Sequence, residues 1–440
     1  MPARVVRMAD WIASVGGPIR GDIRVPGDKS VSHRAIMLAA IAEGSSRITG
    51  FLEGEDTRAT ARIFAQLGVH IDAPADGERI VQGVGIDGLS APSASLDCGN
   101  AGTAMRLLAG LLAPQPFACE LVGDASLSQR PMRRITEPLG MMGARIVTGP
   151  DGRPPLRLQP VQGLRGIEYD SPVASAQVKS ALLLAGLRAS GTTVVREPHP
   201  TRDYTERMLC AFGADIDYGP GFARIGGGQR LRARAVEVPG DFSSAAFPIV
   251  AACLLPGSDL VLRDVGIDPR RTGLLEALRL MGADIGIGNV RGADTGDIAD
   301  LHVRHAPLKA IDVPAALVSD MIDEFPVLFA AAACAEGITR VRGAAELRVK
   351  ESDRIATMAR GLGALGIQVR EVGDGADIVG GAVRGGEVDS HGDHRIAMAF
   401  AVLAQHAAAP VRITDIDNVA TSYPGFATGM RGIGLRIESA

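Results

Sequence analysis

Aromatic side chains are scarce in this 440-residue chain: one Trp, four Tyr and eleven Phe. So few rings argue against a surface on which successive nucleic-acid bases stack. Cysteine is also sparse. Cys98, Cys119, Cys210, Cys253 and Cys334 are scattered with no C-x-x-C pair, which points to reduced, mostly buried thiols in a cytoplasmic protein. No apolar run approaches the eighteen or so residues of a membrane span. The opening MPARVVRMADWIAS lacks the apolar core of a signal peptide, and ordered-looking motifs begin by residue 25, too early for a transit sequence. An excess of basic charge is missing as well. With 46 basic against 50 acidic residues the net charge is −4, so any anion site must be built locally.

What the chain does have is length, apolar content and repetition. Apolar residues make up 46% and charged residues 22%, a composition of globular proteins, and 440 residues suggest two or three domains. Six segments share one pattern, two apolar residues, a Gly, then an apolar or β-branched pair. They are FAQLGVHI at Gly68, LGMMGARI at Gly143, LCAFGADI at Gly213, LRLMGADI at Gly282, LGALGIQV at Gly366 and MRGIGLRI at Gly434. Gly suits the left-handed conformation that ends a helix. About twenty residues before each Gly lies a β-rich stretch: SSRITGFL, ACELVGDA, TTVVREPH, DLVLRDVG, ITRVRGAA and VRITDIDN. Each copy reads as strand, loop, helix, Gly stop, strand, so the chain is an α/β protein of six units.

The tetrapeptide Val25-Pro26-Gly27-Asp28 recurs at Val238-Pro239-Gly240-Asp241, with three copies of the pattern before the second occurrence and three after it. Pro-Gly supplies a restricted turn beside a permissive residue, as a crossing between domains requires; a common turn repeated by chance is the alternative. The expected organisation is a domain of residues 1–26 plus 241–440, a second of 27–240, and hinge crossings near 25–28 and 238–241.

Cations gather where helices are expected to start. In 28-DKSVSHRAIML-38, Lys29 and Ser30 open a helix whose free N–H groups favour an anion, and Arg34 lies on the same face as Ser30. In 346-ELRVKESDRIATMARG-361, the spacings of Lys350, Glu351 and Arg354 put them on one ridge if the stretch is helical. An exposed ion-pair ladder is the competing reading. Arg395 stands at the entrance of the apolar HRIAMAFAVLA, where a charge needs a partner or a ligand. His391 and His394 beside Asp389 and Asp393 have only a weak H-x-x-H spacing and no third ligand cluster, so no metal is expected. The small residues of 97-DCGNAGTAM-105 allow close approach of a ligand at a helix start, and Arg130 precedes a Pro ahead of another helix. Ser175 and Gln177 front the apolar QVKSALLLAGL. Asp323 and Glu324 precede the apolar FPVLFAAAA, where desolvation would raise a carboxylate toward the range of a general base. Together these residues predict a cleft between two domains that takes small, multiply anionic substrates for group transfer.

The segments GDKSVSHRAIML, GNAGTAMRLLAG, SAQVKSALLLAGL, TRDYTERML, MIDEFP, LRVKESDRI and GDHRIAMAF, with Arg130-Pro131, closely resemble the 5-enolpyruvylshikimate-3-phosphate synthase family, in order from about residue 17 to 430. The resemblance implies two similar domains, each of three βαβαββ-type units about a pseudo-threefold axis (an inverse α/β barrel), with the active site in the interdomain cleft. It implies transfer of the enolpyruvyl group of phosphoenolpyruvate to the 5-hydroxyl of shikimate 3-phosphate, in a cytoplasmic monomer that needs no cofactor, nucleic acid or membrane. By its motifs, Lys29, Ser30, Arg34, Ser175, Ala176, Gln177, Arg202, Asp323 and Lys350 would hold shikimate 3-phosphate. Lys29, Gly102, Arg130, Gln177, Arg354 and Arg395 would hold phosphoenolpyruvate. Asp323 matches the base near the 5-hydroxyl, and Glu351 and Lys29 match the groups that protonate the methylene carbon.

The chain departs from one branch of that family at Ala176, where a second serine is usual, and in 420-ATSYPGF-426, where a late lysine is missing. LRVKESDR, MIDEFP and TRDYTE fit the other branch, often herbicide-tolerant, yet Gly102 stands where tolerant members carry Ala. The expectation is a phosphoenolpyruvate pocket with room for glyphosate. Two alternatives stay open from the residues alone. One is transfer to UDP-N-acetylglucosamine, whose enzymes carry a reactive loop Cys near the position of Cys119. That Cys here sits in the strand-like FACELVGD, which favours a buried thiol. The other is a non-catalytic six-unit scaffold or a DNA clamp, which the net charge of −4 disfavours.

Overall fold

The computed structural model describes residues 10–440; of the opening MPARVVRMADWIAS, residues 1–9 lie outside the described residues. The chain divides into two compact units. One comprises residues 27–239 with 292–296; the other comprises, of the described residues, 10–26, 240–291 and 297–440. Residues 292–296 thus leave the unit to which the sequence assigned all of 241–440. They form the tip of the long hairpin of Asp284–Ala293 and Gly296–Arg304, and Asp294 there forms an ion pair of 2.5 Å with Arg234.

Among the described residues the strands form six sheets. In the 27–239 unit, Ala42–Thr49 runs antiparallel to Glu78–Val84 from Glu43 opposite Val84 to Thr49 opposite Glu78. Cys119–Val122 pairs antiparallel with Leu156–Gln159, and Thr192–Arg196 with Phe222–Gly226. The other unit repeats the scheme with Asp259–Gly266 beside Gly296–Arg304, Ile338–Val341 beside Gly375–Val379, and Val411–Thr414 beside Trp11–Ser14. All six β-rich stretches of the repeat are therefore strands. Burial alternates in several, as in Ile338–Val341 where only Thr339 and Val341 are buried, while Thr192–Arg196 buries three residues in a row. The six stop glycines adopt φ of 91, 98, 90, 96, 85 and 112° in chain order, values a Cβ would strain.

Each unit encloses its own apolar cluster, and three helices run through it. Lys29–Ile41, Gly102–Leu112 and Ala176–Gly186 serve the first; Phe242–Leu254, Phe325–Cys334 and His394–Leu403 serve the second. These helices are apolar on nearly every side. In Phe242–Leu254 all thirteen residues are buried, which is how a helix reads when sheets or other helices cover it completely. Their first turns are the places where the chain leaves the core with free N–H groups. Asp28 caps the first by accepting from Val31 N at 2.8 Å, and Asp241 caps Phe242–Leu254 by accepting from Ser243 N at 3.1 Å. The last residue of both VPGD copies is thus a helix cap. No helix among the described residues is long and apolar enough to cross a membrane.

Candidate active site

In the 27–239 unit the polar residues collect at the starts of the three buried helices. Lys29 is the first residue of its helix, and its ammonium forms an ion pair with the buried Asp56. One turn on, Arg34 is buried. Its Nη1 donates to Ser30 O at 2.9 Å, its Nε to Thr205 Oγ1 at 2.7 Å and its Nη2 to Ser180 Oγ at 3.0 Å. Burial lowers its pKa to about 10, and nearby Glu206 works to keep the charge. Ser175 caps its helix, its hydroxyl accepting from Val178 N. Ala176 and Gln177 follow in the first turn. Gln177 accepts from Arg106 Nη1 at 2.9 Å and donates to Thr103 Oγ1 at 3.0 Å. Arg130, following the short helical turn Leu127–Gln129, donates to Asn100 Oδ1 at 2.6 Å.

Gly102 begins its helix between these guanidinium groups. A Cβ there would meet Arg130 Nη1 at 3.0 Å and Arg106 Nη1 at 3.1 Å. Glycine is what lets two cations converge on one helix start.

The other unit gathers a carboxylate and its cations. Asp323 has Arg271 Nη1 at 3.4 Å, Arg354 Nη1 at 3.7 Å and Lys350 Nζ at 3.8 Å. Arg354 is almost entirely buried and also holds Asp393 at 2.8 Å and Glu351 at 2.6 Å. Burial opposes its charge, but Asp393 and Glu351 outweigh burial and raise its pKa. Even so, Arg354 Nη1 makes no hydrogen bond among the described residues. Arg395 donates to Asp323 O at 3.2 Å and lies 3.7 Å from Glu324. Glu324 is buried, hydrogen-bonded by Ser243, and raised in pKa because burial disfavours its charge.

One of the sequence-based expectations needs correction. Lys350, Glu351 and Arg354 do not share a helical ridge. Ala345–Val349 is a 3-10 turn, and Asp353 caps a helix that begins only at Arg354, accepting from Ala356 N at 3.0 Å. The three residues converge through a bend in the chain. The desolvated carboxylate before the apolar Phe325–Cys334 helix is Glu324, while Asp323 is surrounded by cations.

Several participants were not foreseen. At the second VPGD copy, Arg271 Nη2 donates at 2.7 Å to both Asp241 and Ser243. Arg271 stands in 268-DPRRTG-273, which has no periodicity to mark it. Asp56 and Arg106 were equally silent, because their roles come from pairing with residues distant in sequence. His391 is exposed and 3.8 Å from Asp389, with Arg360 Nη2 3.2 Å from its ring, and His394 is buried at its helix start. Cys119 lies buried in its strand, where burial pushes the thiol up to about 12, so it is no reactive loop cysteine. Cavities of about 550 Å³, lined by Ile86, Arg165 and Arg230 among others, and about 580 Å³, lined by Arg20 and His305, contain none of the site residues.

Six strand-helix units in two bodies, with cations and carboxylates at the starts of buried helices, define an α/β group-transfer enzyme of the enolpyruvyl transferase class. The family model for EPSP synthase (3-phosphoshikimate 1-carboxyvinyltransferase) matches residues 14–430. The chain is 64% identical over 430 residues to the 3-phosphoshikimate 1-carboxyvinyltransferase of Xanthomonas axonopodis pv. citri, and 63% identical to that of Xanthomonas oryzae pv. oryzae, with 98% of each chain covered in both cases. An EPSP synthase structure from Acinetobacter baumannii superposes with a TM-score of 0.89 at 50% identity, covering 98% of this chain and all of that one. The enolpyruvyl transferase NikO from Streptomyces tendae, 21% identical with a TM-score of 0.81 over 99% of each chain, shares the fold. The chain belongs to the EPSP synthase family.

Proposed function

We propose that the protein transfers the enolpyruvyl group of phosphoenolpyruvate to the 5-hydroxyl of shikimate 3-phosphate, releasing phosphate. The observation that carries this reading is Arg354 Nη1, a buried guanidinium nitrogen without a hydrogen bond, 3.7 Å from Asp323. A buried, unused donor beside a carboxylate suits a substrate that brings its own anion to a group able to take a proton.

Lys29, Ser30, Arg34, Ser175, Ala176, Gln177, Arg202, Lys350 and Asp323 contact shikimate 3-phosphate in this reading. Lys29, Gly102, Arg130, Gln177, Arg354 and Arg395 contact phosphoenolpyruvate. Asp323 accepts the proton of the 5-hydroxyl as its oxygen bonds to C2 of phosphoenolpyruvate, while Glu351 or Lys29 protonates C3. The tetrahedral adduct then loses a proton from C3 and the C2–O bond to phosphate, which leaves the enol ether and inorganic phosphate. The two substrates carry two phosphates and two carboxylates, and Arg contacts can fix each in two-point geometry. No metal or cofactor takes part, and the protein acts as a cytoplasmic monomer.

The deciding assay measures phosphate release from phosphoenolpyruvate with shikimate 3-phosphate or UDP-N-acetylglucosamine as acceptor. Turnover is expected with the first alone; turnover with the second alone would overturn the proposal.

Gly102→Ala is expected to raise the KM for phosphoenolpyruvate and the glyphosate inhibition constant about tenfold, the scale of one misplaced methyl group in a filled site. The added carbon would press on Arg130 and Arg106 at 3.0 and 3.1 Å. An inhibition constant identical to that of the parent would refute a pocket with room for glyphosate.

A further inference from the structure

A second set of charges, Lys179, Glu197 and Glu206, lies beneath the helix starts of the 27–239 unit and is not itself among the assigned ligand groups. Lys179 Nζ is 2.9 Å from Glu197 and 2.9 Å from Glu206, with side-chain exposures of 2%, 0% and 1%. One ammonium between two carboxylates leaves a negative charge in excess, and Arg34, whose own charge Glu206 supports, balances it. Four buried charges are a costly way to fill space, since apolar side chains of similar volume are often as stable or better. Their arrangement therefore calls for another explanation.

Each carboxylate leads to the rim. Glu197 Oε1 accepts from Ser175 N at 2.8 Å, and its two oxygens accept from Thr201 Oγ1 at 3.0 and 2.8 Å. It thereby fixes the cap of the Ala176–Gly186 helix and the residue before Arg202. Glu206 follows Thr205, which donates to Ser180 Oγ at 2.7 Å and accepts from Arg34 Nε at 2.7 Å. Glu206 Oε2 has no hydrogen bond among the described residues, and besides its own backbone N–H it is Lys179 that holds the carboxylate, through Oε1. Burial raises the pKa of Glu206, and Lys179 pulls against that rise. The lysine thus ties the Ala176–Gly186 helix, the 197–203 segment and the Tyr204–Ala211 helix into one support.

We propose that Lys179, through Glu197 and Glu206, is a positioning residue that sets the spacing of Ser175 and Arg202 for the phosphate of shikimate 3-phosphate. This rests on the assignment of Ser175 and Arg202 to that substrate. Its signature is selective. The phosphate end of the acceptor loses affinity, while the carbon skeleton, phosphoenolpyruvate and the chemical step are left nearly as they were.

The test compares KM for shikimate 3-phosphate with the inhibition constant of unphosphorylated shikimate, whose ratio measures what the phosphate contributes. In Lys179→Met and Glu197→Gln, KM for shikimate 3-phosphate should rise about 10–100-fold, the scale of an ångström's misplacement in an ordered site. The shikimate constant, KM for phosphoenolpyruvate and kcat should stay within about threefold, so the ratio collapses. A general packing defect would instead lower kcat or shift all constants together, and that result overturns the proposal. If Lys179→Met does not fold, the near-isosteric Glu197→Gln and the milder Thr201→Val carry the test. Arg202→Gln separates the two layers of the reading. An unchanged ratio in Arg202→Gln means that the phosphate does not sit here, and the site assignment falls. A collapsed ratio in Arg202→Gln with a parental ratio in Lys179→Met and Glu197→Gln overturns the positioning role alone.

Discussion

Asp323→Asn should lower kcat about a thousandfold, within the range that loss of a positioned general base produces, while KM for either substrate changes little. The substitution keeps the shape of a side chain that is 16% exposed, so the fold should survive. What it removes is the proton acceptor amid three cations at 3.4, 3.7 and 3.8 Å. Those cations can receive substrate anions once the carboxylate has taken its proton. Steady-state phosphate release, with circular dichroism to establish folding, measures the effect. Turnover within a factor of ten of the parent would remove Asp323 from the role of base.

Arg354→Met should have two separable consequences. Stability should fall by about 3–5 kcal/mol, because the fully buried Asp393 loses the partner that holds it at 2.8 Å. Turnover should fall at least a hundredfold, because the unused donor at Nη1 disappears with the charge. The double variant Arg354→Met/Asp393→Asn discriminates between them. Removing both charges abolishes the orphan and should restore most of the stability, read from urea unfolding, without restoring turnover. A double variant that regained both would make Arg354 a structural residue only.

The repeat was the most legible part of this chain. Six glycines at one position of a pattern mark six helix stops because only that residue occupies left-handed backbone without strain, and all six have positive φ. Residues such as Lys29, Ser175 and Arg395 were legible for a related reason, since a polar side chain at the front of an all-apolar segment must have a purpose. Lys350, Glu351 and Arg354 were found for the wrong reason. Their spacing suggested a ridge, whereas the Asp353 cap places them around a bend. Arg271, Asp56 and Glu197 were invisible. Each acts by meeting a partner tens of residues away, and no local period records such a meeting.

The strand Trp11–Ser14 lies in the middle of its sheet, between Val411–Thr414 and Arg436–Ser439. Trp11 stands opposite Ser439, so the strand Trp11–Ser14 waits for Arg436–Ser439 before its ladder can close. During synthesis, residues 27–239 leave the ribosome with all three of their sheets complete in sequence. The other unit is meanwhile an open edge with its partner not yet made. Closing a loop of this length carries an entropic cost that grows only logarithmically, so the finished sheet suffers little. The order of events is where the burden falls: one half can fold on the way out, and the other is committed only once Arg436–Ser439 has been made.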